Sequence, residues 1–170
     1  LGFEPNKIAA LWIYEAADNA ARLFKELTGR NLLFVISGIG SEIFPRTTHV
    51  LPLGFTENIM DLLSAADACI FPHSPSFSGP HIKTIYAFAA AKAVVTTPDG
   101  VKGMKDVVER VHYLAFNMND VSAVSKVLAE IALDSDLRER IQSNAQAYAR
   151  SYTWRHVAES YLEYYAKLLS

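Results

Sequence analysis

Cysteine occurs once in these 170 residues, at Cys69. One cysteine excludes an internal disulfide and a zinc site built from cysteines, and it fits a reducing compartment. Cys69 sits in an apolar run, where an inert core thiol is favoured over a nucleophile. No apolar stretch approaches the roughly 18–20 residues that cross a bilayer. Neither sign of charge dominates either. The formal net charge is −2, and Lys and Arg are scattered rather than gathered in a block, so neither a nucleic-acid face nor a polybasic membrane patch is visible. Repeats and low-complexity tracts are missing as well.

What is present is an apolar half, 51% of the residues, enough for one domain with a sizeable core. No convincing linker interrupts it, so 1–170 reads as a single domain. Apolar positions at helical spacing predict a helix over 7–27, ending near Gly29. Short apolar runs at 32–36, 49–53, 68–71, 93–97 and 111–116 read as strands, the continuous run at 32–36 as one buried on both faces. Helices are expected at 57–66, with Thr56 as cap, and at 80–92, with a short one over 103–109. From Asp120 onward the pattern is helical to the end: 121–133, 134–150 and 153–169, with Asp134 and Thr153 as caps. Strands and helices alternate first and a helical tail follows. The fold class is therefore α/β, a Rossmann-like doubly wound parallel sheet with a C-terminal helical appendage. The sequence opens on Leu1 in what reads as a loop before a helix, and a portion of a longer polypeptide is the expectation.

The stretch from Cys69 to Thr97 organises the rest. Strand, loop, helix and strand follow one another in the manner of a right-handed crossover. In such a unit the loop and the first helical turn form a crevice at the strand's carboxyl end, where free N–H groups and the positive helix end suit a phosphate. Ser78 and Gly79 serve as caps there, and Pro80 suits the first helical position.

Four segments, in order, carry a resemblance. LLFVISGIG resembles a strand and glycine loop. HVLPLGFTENIMDLLSAADACIFP resembles a V-x-x-L-G-F … A-D-x-x-x-x-P segment, and IKTIYAFAAAKAVVTTPDGVKG resembles K-x-L-E-A-M-A-x-G-x-P-V-V-x-T. SYTWRHVAESYLEYYAKLL resembles a closing Y-S-W-x-x-x-A-x-x-Y helix. Together they make the chain similar to the C-terminal, donor-binding domain of group 1 glycosyltransferases (family 4), the second Rossmann-like domain of the GT-B fold. The resemblance implies a nucleotide-diphosphate sugar as substrate, no separate cofactor, metal-independent chemistry, and an acceptor held by an N-terminal domain outside this chain. It also implies a strand ahead of Leu1. The expected location is the cytoplasm, with membrane association only through that other domain. The family's two signature glutamates, with seven residues between them, fall here on Ser78 and Tyr86. Neither accepts bidentate bonds from vicinal hydroxyls as an ionised carboxylate does. The family's glycine and proline before V-V are replaced in the AKA stretch at 91–93.

Several residues are candidates for holding the donor. Lys83, in the first turn of the central helix, opposes the helix dipole unless an anion lies between them. It reads either as a diphosphate contact or as a solvated lysine. His81 is a weaker candidate, set against a capping or surface histidine. Lys7 aligns with a lysine the family uses for the donor's β-phosphate, a task suited to a point charge on a flexible stem; the other reading is an exposed first-turn residue. The family's companion arginine has no counterpart. Gly38 and Gly40 follow a strand and let backbone approach a ligand, yet lack the third glycine of the dinucleotide fingerprint. Asp99 and Gly100 either close the same crevice or form a plain turn. No catalytic residue is assigned. Asp134-Ser135-Asp136 reads as a helix start rather than a metal motif. Trp154, Tyr161, Tyr164 and Tyr165 read as a face packed partly on this domain and partly on the N-terminal one. The rival to a transferase is a GT-B-like binding or structural module that has lost the chemistry, because both carboxylates are gone; a sugar-nucleotide epimerase is a minor third.

Overall fold

The computed structural model describes residues 4–73 and 82–169. Helix α1 (Glu4–Thr28) leads into strand β1 (Phe34–Ser37). It stops at Gly29, whose left-handed φ of 73° only glycine adopts at little cost and whose N–H donates to the Lys25 carbonyl at 2.8 Å. Then come β2 (Val50–Gly54), α2 (Ile59–Ala65), β3 (Ala68–Phe71), α3 (Ile82–Ala89), β4 (Ala93–Thr96) and β5 (Leu114–Ala115). Helices α4 (Val121–Leu133), α5 (Ser135–Ser151) and α6 (Trp154–Leu169) finish the chain. This is the α/β order anticipated, with every described strand pairing parallel.

The strands form two open pieces, β1-β2 and β3-β4-β5. One core serves both. Phe34, Ile36 and Val50 of the first piece and Ala93, Val95 and Leu114 of the second pack with Ala10, Ile13, Ala17 and Ala20 of α1 and Val124 and Leu128 of α4. Small residues let α1 lie close against α4, close enough for the buried Ser125 hydroxyl to donate to the Ala20 carbonyl at 3.1 Å. The opposite face of β3 and β4 is covered by a second cluster around Phe88, Val94, Ala145 and Ala149. Pro52 lies in β2, a strand paired on one side only, where a missing N–H is tolerated.

Four expectations need correction. Thr56 does not cap α2: Asn58 does, accepting from Met60 N–H at 3.1 Å, while the Thr56 hydroxyl bonds Ser37. No helix forms over 103–109. Gly103, Asp106 and Arg110 take positive φ values of 83°, 63° and 62°, which interrupt any helical run. The strand sought over 111–116 shrinks to Leu114–Ala115. Helix α6 forms, but none of its residues is buried, so its aromatic face does not pack on this domain. By contrast Asp134 caps α5 as read, accepting from Leu137 N–H at 2.9 Å. No helix among the described residues is long and apolar enough to cross a membrane.

Candidate functional site

The carboxyl ends of the parallel strands define one edge of the domain. At β3 and β4 this edge is tied by threonine hydroxyls. Thr96 Oγ1 donates to the Phe71 carbonyl at 2.6 Å. Thr97 Oγ1 donates to the His73 carbonyl at 2.9 Å and accepts from the His73 N–H at 3.2 Å. Both threonines are buried, so each hydroxyl meets a protein partner instead of water. A matching tie joins β1 to β2, where Ser37 Oγ lies 2.6 Å from Thr56 Oγ1 and donates to the Gly54 carbonyl at 3.3 Å.

Lys83 comes from the first described turn of α3 and reaches over this edge. Its Nζ donates to Asn6 Oδ1 at 2.9 Å and stands 5.8 Å from the centre of the Phe71 ring. A ring face attracts a cation and an amide oxygen accepts from it, but neither neutralises its charge. Among the described residues Lys83 forms no ion pair. Burial pushes its pKa down, as desolvation does for any cation without a compensating anion. The Asn6 bond also ties the first turn of α1 to α3.

Lys7 lies on that same first turn of α1. It is exposed and pairs with Glu4 at 3.3 Å, an i,i+3 contact open to solvent. Tyr86, one turn after Lys83, is exposed. Gly38 and Gly40 stand in the loop after β1 with φ of 129° and 87°. Their N–H groups already have protein partners: Gly38 donates to the Gly54 carbonyl at 2.8 Å and Gly40 to Glu42 Oε2 at 2.9 Å. Asp99 and Gly100 fall in a 3-10 turn, Pro98–Val101. Gly100 is buried, donates to the Thr97 carbonyl at 2.8 Å and accepts from Thr84 Oγ1 at 3.2 Å. A Cβ built on it would overlap Thr96 Oγ1 and stand 2.8 Å from His73 Cδ2. Ser78, Gly79 and His81 lie outside the described residues.

The structure therefore draws Lys83, Asn6, Phe71 and the Thr96–Gly100 turn to one edge. Asn6, Thr84 and Thr97 were missed in the sequence reading. A signal existed only for Thr97, one of a pair of hydroxyl residues closing a buried strand before a turn. Cys69, 6% exposed, has its thiol pushed up to about 11 by burial, with Lys92 pulling the other way. That is the core role foreseen for it.

The sequence family described as "Glycosyl transferases group 1" matches residues 3–134, more than three quarters of the chain. The chain belongs to that family. Its fold agrees. A glycosyltransferase from Rickettsia africae is 16% identical and superimposes with a TM-score of 0.67, over 93% of this chain and 45% of that one. Sucrose-phosphate synthase from Thermosynechococcus elongatus, 15% identical, gives 0.65 over 91% and 43%. HepE from Anabaena, solved with UDP and glucose, is 19% identical and gives 0.63 over 84% and 44%. The chain thus spans less than half the length of these structures. No curated protein sequence matches it.

Proposed function

We propose that this domain holds the nucleotide-diphosphate sugar donor of a group 1 glycosyltransferase, with the diphosphate lying against Lys83 at the carboxyl edge of the sheet. One observation carries the reading: a half-buried lysine at that edge whose described partners are a neutral amide and a ring. An anion brought there would restore the charge balance that burial upsets. The Anabaena relative, solved with UDP and with UDP-glucose, lends support from the same fold. Lys7 would approach the diphosphate once its exposed pair with Glu4 opens, which costs little for a surface contact. Ser78, Gly79 and His81 precede α3 in sequence and are assigned to the same donor contact. Gly38, Gly40 and Gly100, whose N–H groups are occupied within the protein, and Asp99, whose carbonyl accepts from Lys102, act by shaping the crevice walls. Tyr86 would offer its ring or phenol in place of the family's carboxylate.

The sugar passes to an acceptor held by an N-terminal domain. Preorganised positive charge on the leaving diphosphate is the contribution assigned to this half, and no metal or further cofactor is invoked. Ile39, Ile43 and Phe55 are 68%, 71% and 66% exposed and Trp154 of α6 is 90% exposed, apolar side chains that such a neighbour would cover. We assign the protein to the cytoplasm, with any membrane contact made by that other domain.

Isothermal titration with UDP, GDP and ADP tests the reading. Micromolar binding of one nucleotide, weakened at least about tenfold in Lys83→Ala by loss of a charge-assisted contact, is the expected result. Binding of none of the three by the full-length protein would favour the second reading, a GT-B-like module without chemistry. The residues that favour that reading are Ser78 and Tyr86, where the family has glutamates.

A further inference from the structure

A cavity of about 570 Å³ lies at the opposite edge of the sheet from Lys83. Its walls are the C-terminal half of α1, which contributes Asp18, Arg22 and Lys25, and the segments that enter the strands, with Asn31 ahead of β1 and Thr47 and His49 ahead of β2. The topology accounts for the space. Parallel neighbours are joined by a crossover that ordinarily contains an α-helix. Between β1 and β2 only residues 38–49 intervene, and their regular structure is a three-residue 3-10 turn, Ser41–Ile43. Nothing helical fills the place beside α1.

The lining has a definite chemistry. Arg22 and Lys25, three residues apart on α1, lie on one face of the helix. Arg22 is paired with Glu26 at 3.3 Å and donates to Asn19 Oδ1 at 3.1 Å, but the Arg22 and Glu26 side chains are 69% and 57% exposed, so the ion pair opens readily to a competing anion. Thr47 Oγ1 accepts from the N–H groups of His49 at 3.2 Å and Val50 at 3.1 Å. Its hydroxyl proton is therefore aimed away from those amides and available to an acceptor. His49 Nδ1 is 3.3 Å from the Leu32 carbonyl, which leaves Nε2 as the ring's other polar atom. Two permanent cations and a hydroxyl donor suit a tetrahedral anion. Asp18, the acid on the same wall, is an acceptor of the kind that sugar hydroxyls need.

We infer that this cleft is a second ligand site, separate from the donor crevice, for a phosphorylated sugar. The phosphate is held by Arg22, Lys25 and Thr47, and Asp18 accepts from the hydroxyls. The inference stands independently of what binds at Lys83.

Titration of the full chain at low ionic strength with ribose 5-phosphate, inorganic phosphate and ribose tests it. Ribose 5-phosphate is expected to bind one-to-one and more tightly than phosphate, with ribose alone silent. The double variant Arg22→Gln, Lys25→Gln should weaken ribose 5-phosphate by at least about tenfold, as loss of charge-assisted contacts does, and leave UDP titration and thermal unfolding unchanged. Asp18→Asn should weaken ribose 5-phosphate and spare phosphate. Absence of binding up to about 10 mM, a limit weaker than ordinary metabolite sites, would overturn the proposal. So would undiminished binding by the double variant, or loss of UDP binding with it.

Discussion

At the scale of single residues, Gly100 and Lys83 matter for opposite reasons. Gly100 is needed because there is no room. The hydroxyl of Thr96 is held on the Phe71 carbonyl and the His73 ring stands across from it, so no neighbour is the free end of a flexible chain. Gly100→Ala is expected to lower stability by about 1–3 kcal/mol, the usual cost of overpacking a tight core position. Urea unfolding would measure it, and a loss within about 0.3 kcal/mol would mean that the turn relaxes freely. Lys83 is set apart by what does not accompany it, a compensating carboxylate among the described residues. Its Asn6 bond holds the ammonium in place while its charge stays uncompensated.

At the scale of elements, α3 ends in a manner its sequence does not favour. Lys92 N–H donates to the Ala87 carbonyl at 3.0 Å and Ala91 N–H to the Phe88 carbonyl at 2.9 Å. This is the two-bond helix stop that normally places glycine in the left-handed position. Here that residue is Ala91, with φ of 53°. The family pattern has glycine at this point, so the chain keeps the geometry and bears the strain. Ala91→Gly is expected to raise stability by about 1 kcal/mol, since relief of the left-handed strain exceeds the added unfolded-state entropy. Urea denaturation at constant slope is the check, and a decrease would show that the strain estimate is wrong in sign. Between β1 and β2 the element that is lacking has the larger consequence: with no crossover helix, the amino edge keeps an open cleft.

For the whole molecule, the contrast lies between two fully dressed helices and one bare one. Leu137, Ile141 and Ala145 of α5 are at most 2% exposed, and α4 buries Val124 and Ser125 completely. Helix α6 buries nothing. Helices of this length owe most of their stability to packing. In this chain alone, backbone amides of 156–168 should therefore exchange with solvent at least about tenfold faster than those of 138–150, because local opening needs no core rupture. Hydrogen exchange read by mass spectrometry decides it, and equal protection would imply a contact for α6 that its exposure does not show.

Local pattern alone was enough for the elements. Continuous apolar runs, period-3.6 apolar spacing, caps such as Asp134 and stops such as Gly29 act within a few residues, so α4, β3 and the start of α5 could be read directly, and so could the family from four ordered segments. Two of the readings that failed depended on distant partners. Thr56 was drawn off its cap by Ser37 of another strand, and α6 found no surface on this domain; over 103–109 the interruption is local, left-handed backbone at Gly103 and Asp106. The candidate site divides in the same way. Lys83 stood out as a cation in a first helical turn, whereas Asn6, 77 residues away, became its partner only when α1 crossed to α3. Hydrogen bonds and burial between segments far apart in sequence have no local signature, because chain folding alone decides which side chains meet.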